Sequence, residues 1–498
     1  MKKLLTFGLL LIVFRIQPAH AQYEDIALNF SKTYSGGTAR FLSMAGAQTA
    51  LGADLSCLTS NPAGLAFYTK SDISFSPSLR FSGSDNSFLD NRMIGTKQNF
   101  NIANAAFVFG TPDLGENFGW QNFAFSLGFN RINNFHNRIK FSGYNKNSSI
   151  TDFFEEEANG TYYEDLNFNA DNLYLYPNMA FYTYAIDTVS EVDAKPGTFG
   201  YSYLGAASGG KISQSSTVEY EGGQDEWAFG FASNYNKKFY IGASLGLVSA
   251  RYRESSAFVE EDDSSKIADF KKFTLNETRD INGTGTNFRM GVIFRPVDWL
   301  RFGGSIQTPT FFTLNEKSDR SMKTELDNQQ VEISKGQAYD FDLTTPYKYS
   351  IGLAVVMSTH ALLTFDYEGI DYREANLGAD KLDIDFIKNN NNITNVYTQG
   401  NNIRAGGEIR YGQYRFRAGY GLSSDPYSYK TGVNIDRGSS SITGGFGIKQ
   451  EGFYFDIAVI NTKYKSKYAP YSLLNDSQPV TTSSYNINTF VFTFGATF

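Results

Sequence analysis

Residue types that carry out catalysis are scarce in this chain. It has three histidines, His20, His136 and His360, and a single cysteine, Cys57. No nucleophile motif accompanies either of the later histidines, so neither predicts a general base for acyl transfer. We therefore expect no enzymatic activity, no catalytic residue and no cofactor.

Acidic runs offer a second candidate chemistry. The segments 153–160 ("FFEEEANG") and 259–265 ("VEEDDSS") concentrate carboxylates within a few residues. They could bind divalent cations beside lipopolysaccharide, but the interpretation that we favour is solvated loop charge. We expect no resident metal.

A third group of charged residues lies on one face of a hairpin. In "NIRAGGEIRYGQYRFRAGY" charged and apolar positions alternate, and the two-residue turn "GQ" sets Arg410 opposite Arg415 and Glu408 opposite Arg417. Together with Arg404, these side chains are predicted to face the inside of a closed sheet, near its short-turn rim. They are either ion pairs that hold a plug or contacts to an anionic ligand, and the sequence leaves both interpretations open.

The elements that position these residues are predicted to be β-strands. From residue 72 onwards apolar and polar residues alternate, as in "DISFSPSLRF", "NFAFSLGF", "WAFGFASNY" and the terminal "TFVFTFGATF". Alternation over so many segments predicts strands with one apolar face. The apolar rows contain no charge, whereas Arg80 and Arg289 lie on the opposite parity. Because an arginine facing lipid at the bilayer midplane costs about 2–4 kcal/mol, this distribution predicts that the apolar face contacts lipid.

The connections between these segments alternate in length. We count fourteen segments, joined by short turns at 236–238, 295–298, 358–360, 412–413 and 450–452 and by long connections at 145–212, 313–337, 372–400 and 465–483. An even number of strands with short turns on one rim and long loops on the other is typical of outer-membrane barrels. The predicted fold is therefore all-β, a 14-stranded antiparallel transmembrane β-barrel over residues 71–498. We expect the 145–212 loop to form a lid over the extracellular mouth and to provide a ligand groove.

The N-terminus predicts export. "MKKLLTFGLLLIVFRIQPAHA" has two lysines, an apolar core and an A-x-A cleavage site, which together predict a signal peptide at residues 1–21. Its removal changes the net charge from -7 to about -10. An acidic exported protein without a basic stripe is excluded as a nucleic-acid binder.

The segment between the signal peptide and the first strand is predicted to be a hatch, residues 22–70. It is rich in Gly, Ala, Ser and Thr and shows a weak helical rhythm from Phe41 to Leu51. Fourteen strands enclose an interior wider than their own side chains can fill, so this segment is expected to plug the lumen. Pro62 fixes its own φ near -65° and keeps the preceding residue extended. The predicted gate is the turn that ends the hatch, formed by Asn61, Pro62, Ala63 and Gly64.

Several of these motifs resemble the FadL family of outer-membrane transporters for long-chain fatty acids and aromatic hydrocarbons. The matching residues are "GGTARFLSMAGAQTALGADLSCLTSNPAGLAF", then "PVDWLRFGGSIQTPT", and the terminal "FTFGATF". The resemblance covers nearly the whole mature chain except the 145–212 loop. It implies a hydrophobic ligand, a hatch that rearranges on binding, and sideways release through an opening in the barrel wall around the third strand. The Asn133-Asn134 pair, which interrupts the alternation there, is the candidate kink site.

The leading functional hypothesis is passive transport of hydrophobic compounds across the outer membrane. The alternative is a barrel that resembles these transporters but serves a protein secretion pathway as an accessory or shuttle protein, and a third possibility is a structural or adhesion barrel. We expect an outer-membrane monomer with both termini on the periplasmic side, surrounded by lipid and lipopolysaccharide. Its C-terminal strand, which ends at Phe498, is expected to contact the barrel-assembly machinery.

Overall fold

Fourteen antiparallel strands form a closed β-barrel, which the pairing of the first strand with the last completes. The computed structural model describes residues 22–32, 36–115, 119–166, 175–189, 201–263, 266–379, 386–428 and 435–498, so the predicted signal peptide lies outside it. Four strands are each broken into two parts, labelled a and b. The strands are β1 (Asp72–Phe88), β2 (Asn91–Gly110), β3a (Trp120–Asn134), β3b (Asn137–Asn145), β4 (Ile212–Tyr235), β5 (Phe239–Glu261), β6 (Phe270–Val297), β7a (Leu300–Gln307), β7b (Phe311–Leu326), β8a (Gln330–Thr344), β8b (Lys348–Met357), β9a (Ala361–Asp371), β9b (Asn376–Gly378), β10 (Gln399–Tyr411), β11 (Tyr414–Ser423), β12 (Ser439–Gln450), β13 (Phe453–Tyr468) and β14 (Thr481–Thr497).

The predicted fold class is confirmed. The prediction that the aromatic face of the strands points outwards is confirmed as well. Phe75, Phe125 and Phe229 are about half exposed on the outer surface. The "GQ" turn joins β10 to β11 and sets Arg410 opposite Arg415, as the sequence predicted. Because the outer surface is apolar and aromatic over a continuous band, this barrel is built to contact lipid.

One predicted loop is wrong. The segment 313–337 is not a long connection, because β7b and β8a pair continuously from Phe311–Thr344 to Glu325–Gln330 and are joined by a short turn. About 9–11 residues of a strand suffice to cross a bilayer, whereas β6, beside β7b, has 28 residues. These strands therefore rise beyond the lipid, where the outward face carries polar residues such as Asn315, Lys317 and Asp319 and the apolar outer row that marks a membrane strand is absent.

Proline explains two of the strand breaks. Pro309 separates β7a from β7b, and Pro346 separates β8a from β8b. Proline has no backbone N–H to donate to a ladder and fixes φ, so it interrupts a strand. The last residue of β7a, Gln307, pairs with the first residue of β8b, Lys348. The two breaks therefore lie side by side at the same height of the barrel wall.

The described residues of the predicted hatch, 22–32 and 36–70, lie in the lumen. They contain α1 (Gln22–Ser31), α2 (Ala39–Ser43) and two 3₁₀ turns, Leu55–Thr59 and Pro62–Phe67. The sequence showed a weak helical periodicity as far as Leu51, but the helix α2 ends at Ser43. Ala45 and Gly46 have φ values of 55° and 75°, which turn the chain out of the helix.

Three short helices cover the long-loop rim. The described parts of the 145–212 segment, called the lid below, contain α3 (Ile150–Ala158), α4 (Tyr163–Leu166), α5 (Tyr176–Tyr182) and a hairpin that pairs 186–188 with 203–205. Phe154 of α3 is fully buried and contacts Phe273 at the upper end of β6, with 5.6 Å between ring centroids. A last helix, α6 (Ile387–Val396), lies between β9b and β10. None of the helices in the described ranges is long and apolar enough to cross a membrane.

Candidate transport site

The predicted gate turn is anchored to the barrel wall by Asn61. Its side chain is fully buried, and its Nδ2 donates to the carbonyl oxygens of Thr49 (2.6 Å), Val292 (3.2 Å) and Gly304 (3.3 Å). Its Oδ1 accepts from the N–H of Ala63 (3.1 Å) and so caps the 3₁₀ turn that Pro62 begins. One amide therefore ties the end of the hatch to two strands, β6 and β7a.

A glycine in the wall makes this close approach possible. A Cβ added at Gly291 of β6 would lie 1.8 Å from Asn61 Oδ1, far inside van der Waals contact. The turn itself is packed as tightly, because a Cβ at Gly64 would lie 2.5 Å from the buried Sγ of Cys57. The small residues of the N-P-A-G sequence thus fit a flat patch of the wall.

The buried carboxylate Glu408 joins the hatch to another part of the wall, strand β10. Arg410 and Arg417 each donate an Nε–H to it at 2.6 Å, and the Arg40 guanidinium of the hatch lies 3.4 Å away. Arg417 also pairs with Asp456 on β13 at 2.5 Å. Arg40 belongs to the G-x-A-R residues of the hatch motif, and its contact with Glu408 supports the plug interpretation of these charges.

The two other predicted lumen arginines lie apart from that cluster. Arg404 pairs with Glu368 on β9a at 2.9 Å. Arg415 donates to the carbonyl oxygens of Gly412 (2.6 Å) and Tyr414 (2.9 Å) in its own turn. The structure therefore brings three of the five predicted lumen charges together around Glu408 and separates the remaining two.

A cavity of about 1240 Å³ lies above the hatch and below the lid. Phe153 and Tyr176 of the lid line its upper part, and α1 lines its wall. At its lower side it reaches Ala103 of β2 and Arg131 of β3a. The cavity therefore extends from the lid to the third strand.

Aromatic contacts hold α1 against the barrel. Tyr23 contacts the rings of Phe341 and Phe386 with centroid distances of 5.9 and 5.4 Å. Seven residues later, Phe30 contacts Phe312 at 5.7 Å and Phe135 at 5.8 Å. A spacing of seven residues places both rings on one helix face, so the two ends of that face are each held by aromatic side chains.

The break in the third strand contacts the end of α1 directly. β3a ends at Asn134, so the interruption predicted at Asn133-Asn134 is confirmed. Asn133 Nδ2 donates to the carbonyl oxygens of Asn29 (2.9 Å) and Lys32 (2.7 Å), which are C-terminal carbonyls of α1. These carbonyls have no partner within the helix, so Asn133 acts as their cap.

The barrel wall separates beside this break. The ladder between β2 and β3a runs only from Asn104 to Gly110 of β2, and among the described residues β3b pairs with β4 but not with β2. β3b lies instead on the lumen side of β1, where Ser82 Oγ donates to Asn137 Oδ1 at 2.5 Å. At the point of divergence, a Cβ on Gly36 of the hatch would lie 2.0 Å from the carbonyl oxygen of Arg131. We call this overlap of β1–β2 with β3b–β4 the seam.

Polar side chains join the two sides of the seam in place of a ladder. Lys97 of β2 donates to Glu219 (2.7 Å) and Glu221 (2.6 Å) of β4. Asn99 accepts from Asn134 Nδ2 at 2.9 Å, and its own amide hydrogen-bonds His136 at 3.2 Å. These side-chain contacts can separate without breaking a β-ladder. The two sides of the seam are therefore held together less strongly than two strands joined by a ladder.

One titratable group of the hatch faces the cavity next to α1. The pKa of Lys32 is lowered to about 8, mainly by burial and to a smaller extent by Arg437, whereas Asp25 and Asp425 oppose the shift. Lys32 and Arg437 both line the cavity. This wall of the cavity therefore presents charged groups of both signs, because Glu24 and Asp25 line it as well.

Sequence reasoning missed the helix α1 and the seam contacts. The spacing of Tyr23, Ile26, Ala27 and Phe30 is the signal that could have predicted α1. Lys97 and its two carboxylates are 122 and 124 residues apart in the sequence, and no local pattern indicates such a pair.

Within the described ranges, no group of three or more His, Cys, Asp or Glu side chains could hold a metal ion.

The filled lumen and the apolar outer surface define the class: this chain is a transmembrane β-barrel with an internal plug. Its fold is similar to that of a FadL homologue from Pseudomonas aeruginosa, with a TM-score of 0.57 and 11% sequence identity over 94% of this chain and 98% of that one. It is also similar to the Pseudomonas putida toluene transporter TodX, with a TM-score of 0.51 and 12% identity over 93% of this chain and 99% of that one. The resemblance seen in the sequence is thereby confirmed at the level of the fold. By sequence, neither a family model nor a curated protein matches the chain significantly.

Proposed function

We propose that this protein is a passive outer-membrane transporter of hydrophobic compounds, either fatty acid-like or aromatic, with the long-loop rim outside the cell and both termini in the periplasm. The observation that carries the proposal is the continuity of the cavity from the lid to the seam. The similar solved structures include the toluene transporter TodX, which supports a hydrophobic ligand. A plugged lumen is poorly suited to passing polar solutes, whereas a side opening leads an apolar molecule into lipid.

In the proposed pathway the ligand enters under the lid, where Tyr176 is held by the Arg320 guanidinium 3.6 Å above its ring and by a 2.8 Å hydrogen bond to Glu277. It then occupies the cavity beside α1. Movement of α1 releases the cap made by Asn133, and the third strand can then move away from β2. The ligand leaves sideways through the seam, while Asn61 keeps the lower hatch on the wall.

Uptake in cells tests this function. A strain that lacks the gene would be given labelled oleate or labelled toluene, with and without a plasmid that encodes the full chain. We expect the plasmid to restore uptake of at least one compound, and we expect a variant without residues 40–66 to lose ligand-dependent uptake and to leak.

The result also separates transport from the alternative role in secretion. Unchanged uptake of both compounds in the deletion strain would remove the transport proposal. If exported proteins then failed to reach the cell surface, the accessory role in a secretion pathway would replace it.

A further inference from the structure

We propose that one edge of β8a, on the long-loop side of the barrel, is a docking site for an extended, basic segment of another protein, which adds to it as one more strand. The site lies outside the lumen, and docking there requires no transport. In the orientation proposed above, this edge lies outside the cell.

β8a is paired along its whole length on one side but only at one end on the other. All 15 of its residues, Gln330–Thr344, lie opposite residues of β7b. On the other side β9b pairs only with residues 342–344. Among the described residues, no other strand pairs with β8a on this side. Residues 330–341 therefore form an edge strand, called the free edge below.

The hydrogen bonds of β9b indicate which backbone groups of β8a point to the free edge. The N–H of Leu377 donates to Asn390 Oδ1, and its carbonyl oxygen accepts from Asn390 Nδ2, both at 2.9 Å. Leu377 therefore does not bond the residue opposite it, Leu343, and the bonds of this short ladder belong to the even-numbered residues of β8a. Because the pattern repeats every two residues, the N–H and C=O groups at the free edge are those of Gln330, Glu332, Ser334, Gly336, Ala338 and Asp340.

The free edge is open to strand addition. All six of these residues are exposed, whereas Asn390 covers the matching groups of β9b with its side-chain amide. Residues 330–341 contain no proline, which would remove a donor from the edge. An exposed edge with unpaired N–H and C=O groups binds an extended segment through main-chain hydrogen bonds.

Carboxylates follow the free edge at regular intervals. Glu332 and Asp340 lie on its exposed outer face. Between them, a Cβ at Gly336 would lie 2.5 Å from Oδ1 of Asp319, which reaches over from β7b. The edge therefore presents an acidic group at every fourth residue, about 13 Å apart.

This charge favours a basic partner strand. The lysines on the same outer face, Lys317 and Lys323, belong to β7b, and Lys323 pairs there with Glu325 at 2.6 Å. Opposite charges on directly facing residues of neighbouring strands stabilise the pair, and like charges destabilise it. A segment with lysine or arginine on its outward face therefore matches the free edge.

A second copy of this chain does not fit the free edge. Two upright barrels in one membrane are related by a two-fold axis along the membrane normal. That axis gives both β8a strands the same direction and sets each N–H opposite the same N–H of the other copy. No ladder can form in that arrangement, and the carboxylates would repel each other. The partner is therefore a different chain.

Residue-resolved hydrogen exchange on the full chain in lipid nanodiscs tests the free edge first. The amides of Ser334, Gly336 and Ala338 should exchange at least about tenfold faster than those of Ile333 and Lys335, which bond β7b. Equal protection of the two sets would show that the edge is already paired and would overturn the proposal.

The probe for docking is a synthetic peptide as long as the free edge. Valine alternates in it with threonine, and lysines stand where the added strand faces Glu332 and Asp340. We expect its binding to slow exchange of the even-numbered amides, and we expect the same peptide with glutamate in place of lysine to bind about tenfold more weakly.

A proline in the free edge is the matched test of the ladder. Ala338→Pro removes one N–H from the edge but none from the β7b ladder, so it should weaken peptide binding by about tenfold. Ala338→Thr keeps the N–H and should bind as the wild type does. Ser334→Pro is a second variant of the same kind, and heat-modifiable migration identifies the variants that are folded.

Each remaining outcome decides one point. Binding that neither proline variant weakens would show that no strand is added, and absence of binding would overturn the docking site. Equal binding of the lysine and glutamate peptides would overturn the basic character of the partner. None of these results affects uptake in cells, so the transport proposal is tested separately.

Discussion

The ring of Phe30 in α1 stacks on the ring of Phe135 at the break of the third strand, with centroids 5.8 Å apart and planes inclined by 24°. One of these residues belongs to the hatch and the other to the wall that borders the seam. Their contact gives a direct physical route by which a change in the lumen can reach the side of the barrel.

The cap made by Asn133 can be tested by removal. Asn133→Ala deletes two hydrogen bonds to α1, each contributing about 0.5–1.5 kcal/mol, so protection of residues 24–31 against hydrogen exchange should fall by about tenfold or more. The control is Asn461→Ala, because the Asn461 amide bonds only Asn486 and Asn488 on the barrel among the contacts described. Equal exchange in the two variants would show that the break does not hold α1.

Lys97 should keep the seam closed. Ion pairs that are partly exposed contribute about 0.2–1 kcal/mol each, so Lys97→Met should raise the initial rate of oleate uptake by a factor of about 2 to 5. Exchange in β3b should increase as well. Arg92→Met is the matched control, since Arg92 pairs with Asp85 across the β1–β2 hairpin and does not cross the seam. An uptake rate equal to that of the control would mean that Lys97 does not restrain the opening.

Asn61 should keep the plug in place without being required for assembly. Asn61→Ala removes the donor to three carbonyl oxygens, so we expect single-channel conductance to rise while the barrel still shows heat-modifiable migration. Asn61→Ser keeps an oxygen that can cap the 3₁₀ turn but cannot reach Thr49. Closed channels in the serine variant would assign the effect to capping, and a misassembled barrel in both variants would make the turn purely structural.

The docking of α1 should depend on pH through Lys32. Its pKa is about 8 in the docked state and near 10.4 for a solvated lysine. Below pH 8 both states carry the proton, and above it the docked state releases the proton first. Docking should therefore strengthen as the pH rises from 8 towards 10. Hydrogen exchange of α1, corrected for the intrinsic rate, should slow in that window, and Lys32→Met should abolish the trend. The same slope in wild type and variant would exclude Lys32 as its origin.

The sequence predicted those parts of the structure that depend only on residues close together in the chain, such as the alternation along a membrane strand or the length of a turn. Lipid on one side and lumen on the other impose a two-residue period, so outward rows such as that containing Phe125 could be identified. The pairing of Arg410 with Arg415 followed from the length of a two-residue turn. Where β7b and β8a leave the lipid, that rule no longer applies, and the strands were mistaken for a loop.

The candidate site was predicted less completely because it depends on distant contacts. Asn61 and the lumen arginines lie in recognisable motifs, and the Asn133-Asn134 interruption indicated a break. The partners of Phe30, in contrast, come from separate strands that only closure of the barrel brings together. The seam depends on Lys97 reaching across the displaced third strand, which no sequence pattern predicts.

A disulfide across the seam tests the central claim most directly. Ser82 and Asn137 are in hydrogen-bond contact at 2.5 Å, and the native Cys57 is buried and free, so cysteines at these two positions can be oxidised selectively. The measurement is the initial rate of labelled oleate uptake by the deletion strain that carries this double variant, before and after reduction, with Ser82→Cys alone as the control. We predict that the oxidised double variant transports little oleate, that reduction restores transport, and that the single variant responds to neither treatment. Full uptake through the oxidised, correctly folded barrel would contradict sideways release through the seam.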